Sequence, residues 1–391
     1  MQQSEVTTLN QKVEEKSIAR QEDLKGKHVL LRVDTNTSLG ENGKVDTGED
    51  WRISRILPTL HLLQERGAKV VMLAHQGRDP QESTFPIFQY LQDKVKNIFF
   101  QEDYEQQAVE QRLQQLEEGA ILFMENVRRL PEEKEGRIEQ LQVLVDWADL
   151  FVNEAFAVSH RKHASVYLLP QYLPAYFGLQ FVEEVKHLSS FLIPHDSLRT
   201  MVLGGAKFGT KLPLIKKMLE QVDFVLLGGA LANVFLKERG IDIGKSFVDE
   251  SVDIHDIAHH PKIVLPVDYV DEHGDIAPIL YVGAEHQILD IGTETEQLFR
   301  DIIVRSKQVL WNGPMGKYED GYIAGSVAVA EAMAESDAYT LTGGGDTSTV
   351  ILEQGLEKDF DFISTGGGAM LEFLVEETLP GIEAILKGEE K

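Results

Sequence analysis

The chain of 391 residues contains no cysteine. Disulfides, thiol nucleophiles and cysteine-ligated metals are excluded, and a reducing compartment fits. Basic residues are scarce, with 38 Lys and Arg against 64 Asp and Glu, a formal net charge of −26. So acidic an exterior repels nucleic acid and anionic membranes, and neither is expected as a partner. No apolar run approaches the roughly 20 residues that span a bilayer. The opening segment, MQQSEVTTLNQKVEEKS, lacks the apolar core of a secretory signal. The expectation is a soluble cytoplasmic protein. With so few cations, each arginine in a loop stands out.

What is present is enough for two domains, since hydrophobic residues make up 42% of a chain too long for one ordinary core. Residues 1–22 read as a polar lead-in. Residues 27–33, Lys69–Leu73, Ile121–Met124 and 150–153 then read as buried strands. Between the first two, Ile53, Ile56, Leu57, Leu60 and Leu63 recur at helical spacing. Each strand ends on polar or cationic residues: Asp34 and Asn36, His75 and Arg78, Arg128, and, further on, Arg161. Arg52 opens the first helix. In an open parallel sheet, ligands bind along the edge where the strands end. Several guanidinium groups on that edge suit a small anion bearing carboxylate or phosphate. His160 and His163 have no acidic or cysteine partner at ligand spacing, so structural roles are expected for them.

A proline-bounded break at 170–174 precedes a helix expected over Leu179–Leu192, where the domain connection is placed. Strands follow at 200–203, 223–227, 263–266, 308–311, 338–341 and Phe362–Ser364. The first of these leads into Gly205, Lys207 and Lys211. A helix follows with Pro213 in its first turn, and if helical geometry has begun by Lys207 the two lysines share a face. The 308–311 strand opens into Asn312, with Glu319 close by. The 338–341 strand runs into Gly343, Gly344, Gly345, Asp346 and Thr347 ahead of another helix. Strand, glycine turn and helix N-terminus is the geometry that cradles phosphate. It is also a common tight turn that binds nothing. Asp346 beside phosphate implies an intervening cation, and so a metal-nucleotide. Residues 240–246 imitate a P-loop, but with three residues between the glycines rather than four, and they follow a helix. No GxGxxG with a downstream acid follows the first strand, which argues against a dinucleotide dehydrogenase. Residues 371–391 read as an acidic tail with helical spots.

Taken in order, RVDTN, HQGR, ENVR, SHRKHAS, LGGAK, WNGPMG, GGGDT and STGGGA resemble the motifs of the phosphoglycerate kinase family, at compatible spacings from about residue 24 to about residue 386. The resemblance implies an α/β fold of two doubly wound parallel-sheet, Rossmann-like domains joined by a hinge helix, with the C-terminal tail returning to the N-terminal domain. It implies domains at 1–178 and 195–370, a hinge helix at 179–194 and a returning tail at 371–391. The implied reaction is Mg²⁺-dependent transfer of a phosphoryl group from 1,3-bisphosphoglycerate to ADP, giving 3-phosphoglycerate and ATP, in a monomer whose domains close by hinge bending. Asp34, Asn36, Arg52, His75, Arg78, Arg128 and Arg161 fall on the family's 3-phosphoglycerate site. Gly205, Lys207, Lys211, Asn312, Glu319, Gly344, Gly345, Asp346 and Thr347 fall on its nucleotide site, with Asp346 towards the metal. Arg52 and Lys207 are the residues expected to stabilise the transferring group. The chain departs from the usual pattern at Thr35, Thr37 and Ser38, at Gln76, at Arg129 and Leu130, at 157–159, at 208–210, at Thr293 and at Lys317. Two other readings stay open: a related acyl-phosphate kinase acting on another acid, and a nucleotide-binding protein of this fold that has lost turnover.

Overall fold

Short runs of β-branched and apolar residues, buried on both faces, make the strands of two parallel sheets. The computed structural model describes residues 2–40, 42–46, 48, 50–194 and 196–388. It divides into two compact units, one of Met1–Ser189 with Glu376–Lys391, the other of Ser190–Val375.

In the first unit the strands are β1 (His28–Val33), β2 (Lys69–Leu73), β3 (Ile98–Gln101), β4 (Ile121–Met124), β5 (Leu150–Glu154) and β6 (Ala175–Phe177). Among the described residues they form one parallel sheet ordered β3-β4-β2-β1-β5-β6. Direction reverses at β1, which pairs with β2 on one side and β5 on the other, so the loops after β1 and β5 flank a crevice. Val29, Leu31, Val33, Val70, Met72 and Val152 of the strands pack on Ile53, Ile56, Leu60 and Leu63 of the helix Trp51–Glu65. That helix stops where Gly67 takes φ +71° and its N–H bonds the Gln64 carbonyl at 2.9 Å.

The polar lead-in expected over residues 1–22 is instead a helix, Gln2–Glu15, with Val6 and Val13 buried and Ser17 bridged to Phe177 of β6. Two apolar anchors seven residues apart suffice to dock it, too sparse a stripe to be seen in a polar sequence. The break at 170–174 holds a short helix, Leu169–Tyr172, and then the edge strand β6. The C-terminal helix Pro380–Lys387 packs on the turn Ala164–Leu168 and on the N-terminal helix. Gly381 N–H bonds the Ser159 carbonyl at 2.8 Å, and Ile382 and Ile385 are buried. The last three residues of the expected tail lie outside the described residues.

The second unit has β7 (Arg199–Leu203), β8 (Phe224–Leu227), β9 (Ile263–Val264), β10 (Asp268–Val270), β11 (Ile276–Pro278), β12 (Asp290–Ile291), β13 (Gln308–Asn312), β14 (Tyr339–Gly343) and β15 (Phe362–Ser364). Its main sheet runs β15-β14-β13-β7-β8-β9, with the reversal between β7 and β13. The small antiparallel sheet β11-β10-β12 was not legible, because strands of two or three residues show no periodicity. The helix Leu179–Leu192 has the expected bounds. Among the described residues, no helix is long and apolar enough to cross a membrane.

Candidate active site

The first unit gathers its cations where the strands end. The loop after β1 is folded by Asp34, whose Oδ1 accepts the Asn36 N–H at 3.2 Å. Asn36 Oδ1 in turn accepts the Gly77 N–H at 2.7 Å, joining this loop to the one after β2. Arg128 donates to the Gly77 carbonyl, and Arg52 Nη1 donates to the Asn36 carbonyl at 3.2 Å. Arg52 Nε is buried without a hydrogen-bond partner. Arg78 follows Gly77 and is exposed, as is Arg161, whose Nε bonds His160 Nε2 at 3.2 Å. Gly77 takes φ +61°, a conformation that strains any other residue, and a Cβ there would also displace the Glu82 carboxylate.

Behind this face lies Arg32, the first residue of RVDTN, which was not placed among the site residues. Arg32, on β1, is 1% exposed. Its Nε donates to Ser165 Oγ at 2.9 Å, and Ser165 Oγ donates to Glu133 Oε1 at 2.7 Å. Arg32 Nη2 lies 3.3 Å from His75 Nδ1. A guanidinium only donates, so Nδ1 accepts and the ring proton sits on Nε2. Burial, then Arg32, Arg128 and Arg161, hold the His75 pKa well below its ordinary value, so the ring is neutral at pH 7. His163, 3.6 Å from Glu133, and His160 are both pushed down to about 4, burial being the larger cause and Arg161 the next. Arg128 is also lowered, by burial and then by Arg161 and Arg32. Like charges are thus crowded on one edge of a strongly acidic protein, an arrangement that an anion relieves. A signal for Arg32 existed: it opens RVDTN and interrupts an otherwise apolar strand between Leu31 and Val33.

In the second unit the loops after β7, β13 and β14 enclose a cavity of about 570 Å³, within the range of small-molecule sites. Gly205, Lys207, Lys211, Asn312, Glu319, Gly344, Gly345, Asp346 and Thr347 all line it. Gly204–Gly205 and Gly313 flank the β7/β13 reversal, where doubly wound sheets bind ligands. Lys211 is buried and donates to the Gly204 carbonyl. Gly313 has φ +92°, and a Cβ there would come within 2.5 Å of both Lys211 Nζ and the Gly204 oxygen. Burial, with Lys207 adding to it and Asp346 opposing it, lowers the Lys211 pKa to about 8.

Two expectations about this loop need correction. The helix Phe208–Met218 begins after Lys207, which caps it with ψ 77°, so the lysines do not share a helical face. Lys207 is exposed and Lys211 is buried. Pro213 is the sixth residue of that helix rather than part of its first turn, because buried Phe208 anchors the start earlier than the glycines suggested. Residues 240–246 follow the helix Gly229–Glu238 as a turn in which Gly244 N–H bonds Asp242 Oδ1 at 3.0 Å, with no phosphate cradle.

Around the helix Gly345–Glu353, Gly344 takes φ 116° as the cap, a conformation open to glycine. Asn312 Nδ2 donates to the Gly343 carbonyl, and the buried Thr347 hydroxyl accepts the Gly313 N–H at 2.8 Å. Asn312 and Thr347 therefore tie the loops after β13 and β14 together. Asp346 is exposed on the cavity wall. The lining also includes Phe247, Asp290 and Lys317, which no sequence pattern placed in a site. Phe247 is 62% exposed and packs on Phe208 at 6.4 Å between centroids. Lys317 pairs with Asp320 at 2.6 Å. Burial raises the Asp290 pKa to about 7, against the Gly325 and Ile291 N–H groups that it accepts.

The family model described as phosphoglycerate kinase matches residues 19–377. Phosphoglycerate kinase of Gloeobacter violaceus is 38% identical over 394 aligned residues, covering 93% of this chain and 96% of that protein. Phosphoglycerate kinase of Aquifex aeolicus is 36% identical, covering 93% and 97%. Among solved structures, phosphoglycerate kinase from Coxiella burnetii superposes with a TM-score of 0.80 at 31% identity, over 96% of this chain and 99% of that one. The Pyrococcus horikoshii enzyme gives 0.84 at 32%, over 94% and 98%.

Proposed function

The chain belongs to the phosphoglycerate kinase family, and on that premise we propose that its basic face holds the phosphoglycerate and its glycine-lined cavity holds the nucleotide. It is a phosphotransferase with a carboxyl acceptor, and the reaction is reversible phosphoryl transfer between 1,3-bisphosphoglycerate and ADP, giving 3-phosphoglycerate and ATP. One observation carries the assignment of roles. The cationic edge of the first unit gathers guanidinium groups around a neutral histidine, whereas the cavity of the second is lined by glycine turns, two lysines and a carboxylate.

Phosphoryl transfer needs positioning and charge stabilisation more than covalent help. Arg78, Arg128 and Arg161 neutralise the carboxylate and phosphate of the acid substrate, while His75 donates from Nε2. Asp34 and Asn36 hold the loops that place them. Arg52, whose Nε lacks a partner, and exposed Lys207 stabilise the transferring group. Lys211, with Gly205, Gly344 and Gly345, receives the nucleotide phosphates. Glu319 accepts from the ribose hydroxyls. Asp346 fits Mg²⁺, as a hard oxygen donor on the cavity wall beside the lysines, and this ion takes few protein ligands. Bound there, the ion would offset charge on the phosphates. Transfer requires the two substrates to meet away from water, and bending about the helix Leu179–Leu192 is the means we assign. Each site draws on one unit of one chain, and we assign the activity to a cytoplasmic monomer whose phosphoglycerate domain is 1–178 and nucleotide domain 195–370.

A coupled assay for ATP formation from 1,3-bisphosphoglycerate and ADP tests the whole reading; an inactive, folded protein overturns it. Calorimetry tests the division of roles. Asp346→Asn should weaken Mg-nucleotide and leave 3-phosphoglycerate unchanged, and equal weakening of both would refute the split.

A further inference from the structure

We propose that the second unit carries a binding site for a zinc-class divalent cation, built from Glu272, His273 and His286 with Asp271 beside them, apart from the Mg-nucleotide residues. Among the described residues, Glu272, His273 and His286 are the group of three or more such side chains whose ligand atoms all lie within 4.8 Å of one another. The turn after β10 supplies the first two, and the segment leading to β12 supplies His286.

The distances are close to those a metal imposes. His286 Nδ1 is 3.4 Å from Glu272 Oε1 and 3.0 Å from Asp271 Oδ2, and His273 Nε2 is 3.9 Å from Glu272 Oε1. Ligand atoms about 2.0 to 2.2 Å from a tetrahedral metal sit roughly 3.3 to 3.5 Å apart. The distance from His273 to Glu272 exceeds this, and all the ligand atoms lie within 4.8 Å of one another. His273 has a side chain 67% exposed and can swing inward.

The rest of the site is held. Asp271 is buried, and its Oδ1 accepts the His273 and Asp275 N–H groups at 2.8 and 2.9 Å, fixing the turn. The His286 ring lies over Gly283, where a Cβ would come within 2.7 Å of Cδ2, so glycine makes the room for the imidazole. His286 Nδ1 is shielded from solvent yet makes no well-formed hydrogen bond, despite two carboxylates within reach. A ring nitrogen shielded from water beside two carboxylates, hydrogen-bonded to neither, is a place where a cation could satisfy all three. Two imidazoles with carboxylate favour zinc-class ions over Mg²⁺ or Ca²⁺, which prefer oxygen alone. The bound ion would clamp the turn after β10 to the strand that enters the nucleotide cavity wall. Glu272 already holds that strand's approach by accepting the Gln287 N–H at 3.1 Å.

The test uses the full chain, free of any purification tag and stripped by chelator, titrated with Zn²⁺ against a chromophoric competitor. One equivalent should bind at micromolar Kd or tighter, unaffected by millimolar Mg²⁺. Co²⁺ should give the visible absorption of a tetrahedral nitrogen–oxygen site. His273→Ala, at an exposed position, should weaken Zn²⁺ at least tenfold at unchanged Tm, and Glu272→Gln by a similar factor. The proposal is overturned if no equivalent binds, or if the equivalent that binds survives both substitutions.

Discussion

At the scale of the residue, two groups carry charge states that composition does not foretell. Lys211, lowered to about 8 by burial and by Lys207, is half deprotonated at that pH without ligand. An anionic phosphate favours the charged form, so above pH 8 binding must take up a proton. Nucleotide affinity should therefore fall by up to about tenfold per pH unit above 8. Lys211→Arg, which stays charged, should show a flat profile by calorimetry even if weaker overall; an identical slope in both proteins would remove Lys211 from the phosphates. Arg52→Ala and Lys207→Ala should each cost on the order of 10²-fold in kcat, the effect of losing one preorganised charge-stabilising donor. Near-normal turnover in both would end the assignment. The residues themselves were legible, because arginines and glycines at strand ends are conspicuous in an acidic chain. Their charge states were not. His75 is neutral because it is buried and, next, because Arg32 lies beneath it, and Arg32 reads in sequence as one polar interruption of a strand.

The element that best shows what packing adds is the connecting helix Leu179–Leu192. Its bounds could be read from periodicity, yet its start is fixed from elsewhere. Buried Glu154, at the end of β5, accepts the Gln180 and Phe181 N–H groups at 3.1 and 3.0 Å, together with the Thr59 hydroxyl. Desolvation outweighs these bonds and raises the carboxyl from 4.5 to about 7. The sign of the linkage follows. Between pH 4.5 and 7 the unfolded chain releases this proton while the folded one keeps it. Folded stability therefore falls as pH rises through that window, by about 3 kcal/mol in all, and is constant above it. Subtracting the stability–pH curve of Glu154→Gln from that of the parent should isolate this slope. A flat difference would mean that the carboxylate is ionised throughout. Gly313 makes a second case. Its role is spatial, since a methyl would strike Lys211 and the Gly204 carbonyl, so Gly313→Ala should weaken nucleotide at least tenfold while 3-phosphoglycerate binding persists. The helix Gln2–Glu15 and the strands β10 to β12 escaped the sequence because their stabilisation is tertiary: two valines in one case, strands of two or three residues in the other.

For the molecule as a whole, the excess of acid governs the response to salt. At a net charge of −26 the folded state repels itself, and salt screens that repulsion. Raising KCl from about 0.05 to 0.5 M should raise Tm and, over the same range, weaken 3-phosphoglycerate, whose attraction to the arginines is screened as well. A falling Tm would point to ion pairs as the larger contribution. Two of the departures from the usual motifs meet in the structure. Gln76 is buried, and its Nε2 bonds the Thr37 carbonyl at 2.7 Å, so two of the substituted positions brace one another beneath the basic face.

The C-terminal helix has a consequence in time. Glu376–Lys391 belongs with Met1–Ser189, so the unit that is begun first is completed last. At 5–20 residues per second, synthesis of the intervening Ser190–Val375 takes about 10 to 40 s. Throughout that interval the nascent first unit lacks Ile382 and Ile385 and leaves the turn at Ala164–Leu168 uncovered. The second unit, Ser190–Val375, has all of its residues first. The unit whose first residues are made earliest is thus the one whose last residues are made latest.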